Sequence, residues 1–114
     1  MDTIAEQKKI CLKYKVDFFE SSEEMKLGVA LNIKSGFLPI HGLRHPPQNG
    51  TTGWYLWAGD FSEESDFFKP LHIKHLDDWT PLVKKYLGLP PGWRFLIGQD
   101  GYEDVWFDES LLKI

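Results

Sequence analysis

Residues 53–60 read GWYLWAGD, and how this stretch is read decides the fold. As a strand it alternates its side chains, placing Trp54, Leu56 and Ala58 on one face and Tyr55 and Trp57 on the other. Both faces are apolar, so neither is an ordinary wet face. One row belongs to a core. The other is either a second core layer beneath a helix or a surface kept for a partner.

Strands surround this one. In MKLGVALNIK (25–34), Leu27, Val29, Leu31 and Ile33 alternate with Lys26, Gly28, Ala30 and Asn32, the pattern of a half-buried strand. FLPIHGLR (37–44) reads as a weaker, edge-like strand after a turn at Ser35-Gly36, because Pro39 cannot donate to a ladder. The charged loop DFSEESD (60–66) leads to FFKPLHIKHL (67–76), with Leu71 and Ile73 on one face. WRFLIG (93–98) and YEDVWF (102–107) flank QDG, whose Asp-Gly pair predicts a hairpin.

Two helices complete the reading. TIAE (3–6) is a capping box in which Thr3 and Glu6 exchange bonds, and Ile4, Ile10, Cys11 and Tyr14 follow helical spacing over 3–14. In TPLVKKYLGLPPG, Thr80 predicts an N-cap, Pro81 the first helical position, and Leu82, Val83, Tyr86 and Leu87 an apolar stripe. Gly88 is expected in the left-handed conformation that ends this helix, with Pro90 and Pro91 barring continuation. The expected architecture is α+β: residues 1–114 as a single small domain, mainly an antiparallel sheet of about 5–6 strands with two short helices.

Composition narrows function. A chain of 114 residues with 42% apolar and 15% aromatic content can bury a core without disulfide or metal staples. The lone Cys11 cannot form an internal disulfide and reads as a buried, inert thiol in a reducing compartment. The start MDTIAEQKK has no basic region followed by an apolar one, and no apolar run approaches the ~18 residues of a membrane span, so a soluble, cytoplasmic protein is expected. The net charge of −4 is uneven, because residues 51–114 hold six Lys/Arg against eleven Asp/Glu. No basic footprint is present to neutralise phosphates, so no nucleic acid is expected as a partner, and the acidic half favours a basic one.

No catalytic signature emerges. His41/His45 and His72/His75 lack the third converging ligand that zinc requires, and His75 falls on the face opposite His72. No cofactor or metal is expected. GLPPG is helix-stop punctuation rather than a phosphate cradle. Asp60 is expected to cap the turn after Gly59, and Arg94 to pair with Asp104 across the hairpin.

What remains is the aromatic second face. Val105 and Phe107 are expected to pack with Phe95 and Ile97 as core, leaving Tyr102, Asp104 and Trp106 beside Arg94 and Leu96 on the opposite side. With Tyr55 and Trp57 from the central strand, these residues form a candidate partner-binding surface of Tyr55, Trp57, Asp60, Arg94, Tyr102, Asp104 and Trp106. Tyr, Trp and Arg bury much apolar area behind a polar handle, which makes them binding hot spots when exposed.

The segments NGTTGWYLWAGD, DFFKPLHIKHL and PLVKKYLGLPPGWRFLIGQDGYEDVWFDESLL give the chain a family resemblance. Over residues 27–112 it resembles the bacterial immunity protein 33-like family, small proteins assigned to polymorphic toxin systems. That resemblance implies a non-enzymatic, cytoplasmic α+β protein that binds and neutralises a cognate toxin protein. Trp54, Gly59, Asp60, Gly92, Trp93 and Arg94 match its recurrent positions, whereas Phe61 stands where the family often has another acid. The alternative from the residues alone is a small-ligand module, one that stacks a carbohydrate on Trp57 or Trp106.

Overall fold

The computed structural model describes residues 3–35, 38–48 and 50–113. In chain order they form α1 (Thr3–Lys13), β1 (Lys26–Ala30), β2 (Ile40–Arg44), β3 (Thr51–Ala58), β4 (Phe68–His72), β5 (Trp93–Ile97) and β6 (Glu103–Phe107). Short 3-10 helices span Leu31–Ser35, Ile73–Asp78, Pro81–Tyr86, Gln99–Gly101 and Glu109–Leu112. The strands make one six-stranded sheet in the order β4-β1-β3-β2-β5-β6. Every neighbouring pair is antiparallel except β1 and β3, which run parallel. The fold is α+β, as expected.

The GWYLWAGD stretch forms most of β3, deep in the sheet, and its alternation holds. Trp54, Leu56 and Ala58 are buried in one cluster with Val29, Phe95 and Val105, and that cluster also contains Ile10 and Cys11 of α1 and Ile33, Ile73, Leu76, Val83 and Tyr86 of the 3-10 segments. α1 and the 3-10 segments at 31–35, 73–78 and 81–86 therefore pack on the same face of the sheet. Each fully buried large side chain there contributes about 1.5–3 kcal/mol of transfer free energy.

Several local expectations are corrected. β2 is an interior strand, paired with both β3 and β5. Pro39 does not weaken it, because pairing begins at Ile40 and Pro39 only accepts, taking the Gly59 N–H at 2.9 Å. Gly36 and Phe37, where a turn and the start of this strand were expected, lie outside the described residues. The 25–34 strand turns into a 3-10 helix at Leu31, which leaves Leu31 56% exposed while Ile33 stays buried. Asn32 in that helix accepts the Ala58 N–H at 3.0 Å, ending β3. The strand expected over 67–76 stops at His72.

The helical termini also differ. α1 already includes Thr3, so the residue that would cap it lies outside the described residues. The segment after Thr80 is a 3-10 helix, and Thr80 takes the N-cap position with extended backbone but makes no side-chain capping bond. Gly88 is not left-handed; that conformation falls to Gly92, at φ 93°. Gly88 is needed for space, since a β-carbon there would sit 2.8 Å from the Phe18 ring. The Asp-Gly hairpin is borne out: Asp100 and Gly101 both have positive φ, at 58° and 78°.

Arg44 ties these segments together. It is 1% exposed on the core side of β2, and its guanidinium donates to the carbonyls of Thr52 (2.9 Å), Phe19 (3.0 Å) and Leu89 (2.7 Å). Longer bonds reach Leu87 and Glu20, and the Phe19 and Trp54 rings flank the group. Burial lowers its pKa to about 10, so it stays charged while backbone dipoles replace a counter-ion. Cys11 is buried nearby, its thiol donating to the Gly88 carbonyl at 3.3 Å, and burial raises its pKa.

Candidate functional site

On the face away from the core, register aligns side chains into two rows. Pro70, Gly28, Tyr55, Leu43, Arg94 and Trp106 follow one another across all six strands. In the adjacent row Trp57, His41, Leu96 and Asp104 are successive partners, and Phe68 lies opposite Ala30. Five of the residues singled out in the sequence, Tyr55, Trp57, Arg94, Asp104 and Trp106, therefore share this face. They do not make one contact patch. With strands about 4.8 Å apart, Tyr55 and Trp106 are separated by about 14 Å, with Leu43 and Arg94 between them.

Among the described residues no helix lies over Trp57, yet it is only 5% exposed. It stacks on His41 with ring centroids 4.9 Å apart and planes 16° from parallel, and it meets Phe61 (5.3 Å) and Phe68 (6.0 Å) edge-on. Phe61 comes from the charged loop, which Phe67 pins by packing on Phe61 and Phe68. Trp57 is thus the floor of an aromatic layer rather than an exposed contact, correcting its expected place on the surface. Burial, with the Arg94 charge adding to it, lowers the His41 pKa and favours the neutral ring beside Trp57.

Tyr55 is exposed at 37%, and Phe61 at 54%. The Tyr55 ring contacts Phe68 (5.1 Å) and His45 (5.6 Å) edge-on. Gly28 makes this placement possible, because a β-carbon there would lie 2.7 Å from Tyr55 Cδ1. Leu43, His45, Tyr55, Phe61 and Phe68 line an open groove of about 400 Å³. His45 is held from behind, its Nδ1 2.9 Å from the carbonyl of Leu111, a residue buried outside the main core. The groove thus lies between the 60–67 loop and the C-terminal turn.

Arg94 does not pair with Asp104. Register sets Asp104 opposite Leu96, and Arg94 instead bonds Asp108 at 3.0 Å while its guanidinium lies over Trp106, 5.4 Å from the ring centroid. Ser110 and Arg94 together hold the Asp108 carboxyl below its ordinary pKa. Trp106 is half-buried, Asp104 is exposed, and Tyr102 stands 56% exposed at the hairpin. Asp60 makes no capping bond among the described residues; Ser62 instead accepts the Glu64 N–H. Phe107, expected in the core, is 48% exposed at the sheet edge, where it packs on Trp93.

The strongest electrostatic cluster lies on the core side. Glu103 of β6 accepts from Lys13 (2.8 Å), Tyr14 (2.5 Å) and Tyr86 (2.5 Å). Burial alone would raise its pKa, but the three donors outweigh that and lower it to about 2. Burial and the bond to Glu103 raise the Tyr86 pKa. The donors come from the end of α1, the turn after it and the 3-10 segment before Gly88, so the cluster fastens these elements to the edge strand. Among the described residues no three His, Cys, Asp or Glu converge as metal ligands. No helix among them is long and apolar enough to cross a membrane.

Sequence reasoning missed Leu43, His45, Phe61 and Phe68 as groove residues. Leu43 and His45 were obscured by the edge-strand reading of β2. The available signal was Phe61, Phe67 and Phe68 flanking three acids, since a solvated loop has no need of three phenylalanines.

Core, sheet and surface together define a small α+β domain with a one-sided core and an aromatic, open second face. A family model for the Imm33-like domain matches residues 6–108, and the chain belongs to that family. No curated protein and no solved structure matches it.

Proposed function

We propose that the protein is a non-enzymatic immunity protein of a polymorphic toxin system, acting in the cytoplasm by binding and neutralising a cognate protein toxin through the open face of its sheet. Membership of the Imm33-like family supports the immunity role. The observation that carries the choice of surface is the exposed Tyr55 ring in its groove, on the face opposite α1 and the core 3-10 segments. Tyr55, Arg94, Tyr102, Asp104 and Trp106 are the contact residues of this reading, Asp60 lies at its rim, and Trp57 supports it from below. An interface of standard size covers about 800 Å² on each partner, enough to span both the groove and the Trp106 end.

The test is protection. The chain is co-expressed with each candidate toxin encoded beside it in the native host, and survival is measured. Rescue from one toxin, with formation of a stoichiometric complex, is the expected result. Failure to protect against any of them would overturn the immunity role.

A further inference from the structure

Building on that reading, we infer that the groove beside Tyr55 is the anchor site, and that the partner element seated there carries an apolar side chain flanked by lysine or arginine. Three observations carry this. First, the walls are apolar side chains, Leu43, Tyr55, Phe61 and Phe68, with the His45 ring between, and the open volume of about 400 Å³ accommodates one large aliphatic or aromatic side chain with its neighbours. Second, the wall formed by Phe61 belongs to a loop bearing Asp60, Glu63, Glu64 and Asp66 with no Lys or Arg among residues 60–66. All four carboxylates are exposed, and none is in an ion pair among the described residues. Third, the loop is not free to swing its charge away: Phe61 packs on Trp57, Phe67 and Phe68, and the Phe67 N–H bonds the Glu64 carbonyl at 3.1 Å.

Lys26 lies on the other side of Tyr55, where with Pro70 it lines a smaller cleft. The field across the groove is therefore polarised, acidic at the loop and basic at Lys26 of β1. A partner segment matches it only in one direction, with its cations over the 60–66 loop. Acidic side chains so fixed raise the association rate of a basic partner, while the buried anchor sets the dissociation rate.

Short random peptides displayed on phage supply a probe that needs no knowledge of the toxin. They are selected on the full-length chain and counter-selected on Tyr55→Ala. The expected outcome is a consensus of one aromatic or aliphatic residue flanked by Lys or Arg. Synthetic peptides of that consensus should lose about tenfold or more in affinity against Tyr55→Ala, and similarly against the folded quadruple variant Asp60→Asn/Glu63→Gln/Glu64→Gln/Asp66→Asn. The second loss should shrink as salt is raised, whereas the first should persist. An acidic or uncharged consensus, no consensus at all, or a glycan that occupies the groove in place of peptide would overturn the inference. The immunity role fails separately: a toxin bound with full affinity by Tyr55→Ala leaves that role standing and removes the groove, whereas groove-binding peptides without protection from any toxin do the reverse.

Discussion

Gly28 and Tyr55 face each other across the one parallel pair among the described strands, and the tyrosine ring occupies the space a side chain at 28 would fill. The ring can lean over β1 toward Phe68 because the glycine yields that space, and leaning opens the groove toward Leu43. Gly28→Ala should push the ring out of place. The expected result is an affinity loss for the partner comparable to that of Tyr55→Ala, with unfolding free energy changed by about 1 kcal/mol or less, since alanine suits a strand at least as well as glycine. Titration calorimetry and denaturant melts separate the two effects.

Trp57 and Tyr55 are neighbours on one face with opposite duties. Trp57→Ala should destabilise the fold by about 3–5 kcal/mol, because it removes the floor beneath His41, Phe61 and Phe68. Tyr55→Ala should cost about 1 kcal/mol or less in stability while weakening binding. Urea denaturation of both variants checks the split.

Arg44 should resist even conservative change. Arg44→Lys supplies one compact donor where a fork reaches five carbonyls, leaving several of them buried without a partner. A loss of about 2–4 kcal/mol is expected, with the segments at 19–20 and 87–89 losing amide-exchange protection first. Hydrogen exchange by mass spectrometry locates the loss.

Glu103 predicts the shape of acid unfolding. Its folded pKa of about 2 lies below the ordinary 4.5, so the native state holds this carboxylate ionised where the unfolded chain binds a proton. Its contribution is full above about pH 5 and is lost as pH falls toward 2. Glu103→Gln should therefore lower stability at pH 7 and flatten the stability profile between pH 5 and 2. Melting temperatures of both forms across that range provide the check. Tyr86→Phe should reproduce part of the loss at pH 7, about 1.5–3 kcal/mol for one bond to a charged acceptor.

Legibility in the sequence followed the range of the forces involved. The two-faced alternation of β3 and the Asp-Gly hairpin were readable because they are local properties of the chain. The position of β2 was not, because whether a strand lies at an edge depends on partners distant in sequence, and Pro39 mattered only according to where pairing began. The site was half legible. Period-two counting placed Tyr55, Trp57, Arg94, Asp104 and Trp106 on one face, but it could not show that Phe61 and Phe68 close over Trp57 and leave Tyr55 exposed. Arg44 was invisible for a similar reason, since its acceptors are backbone carbonyls of three separate segments.

The central claim is that the open sheet face holds the toxin. Its most direct measurement is the affinity of the purified cognate toxin for the wild-type chain and for Tyr55→Ala/Trp106→Ala, with native folding of the double variant established by circular dichroism. A loss of about a hundredfold or more is predicted, as expected for two aromatic contacts at hot-spot strength. An unchanged affinity in the folded variant would contradict the account and move the toxin to another surface.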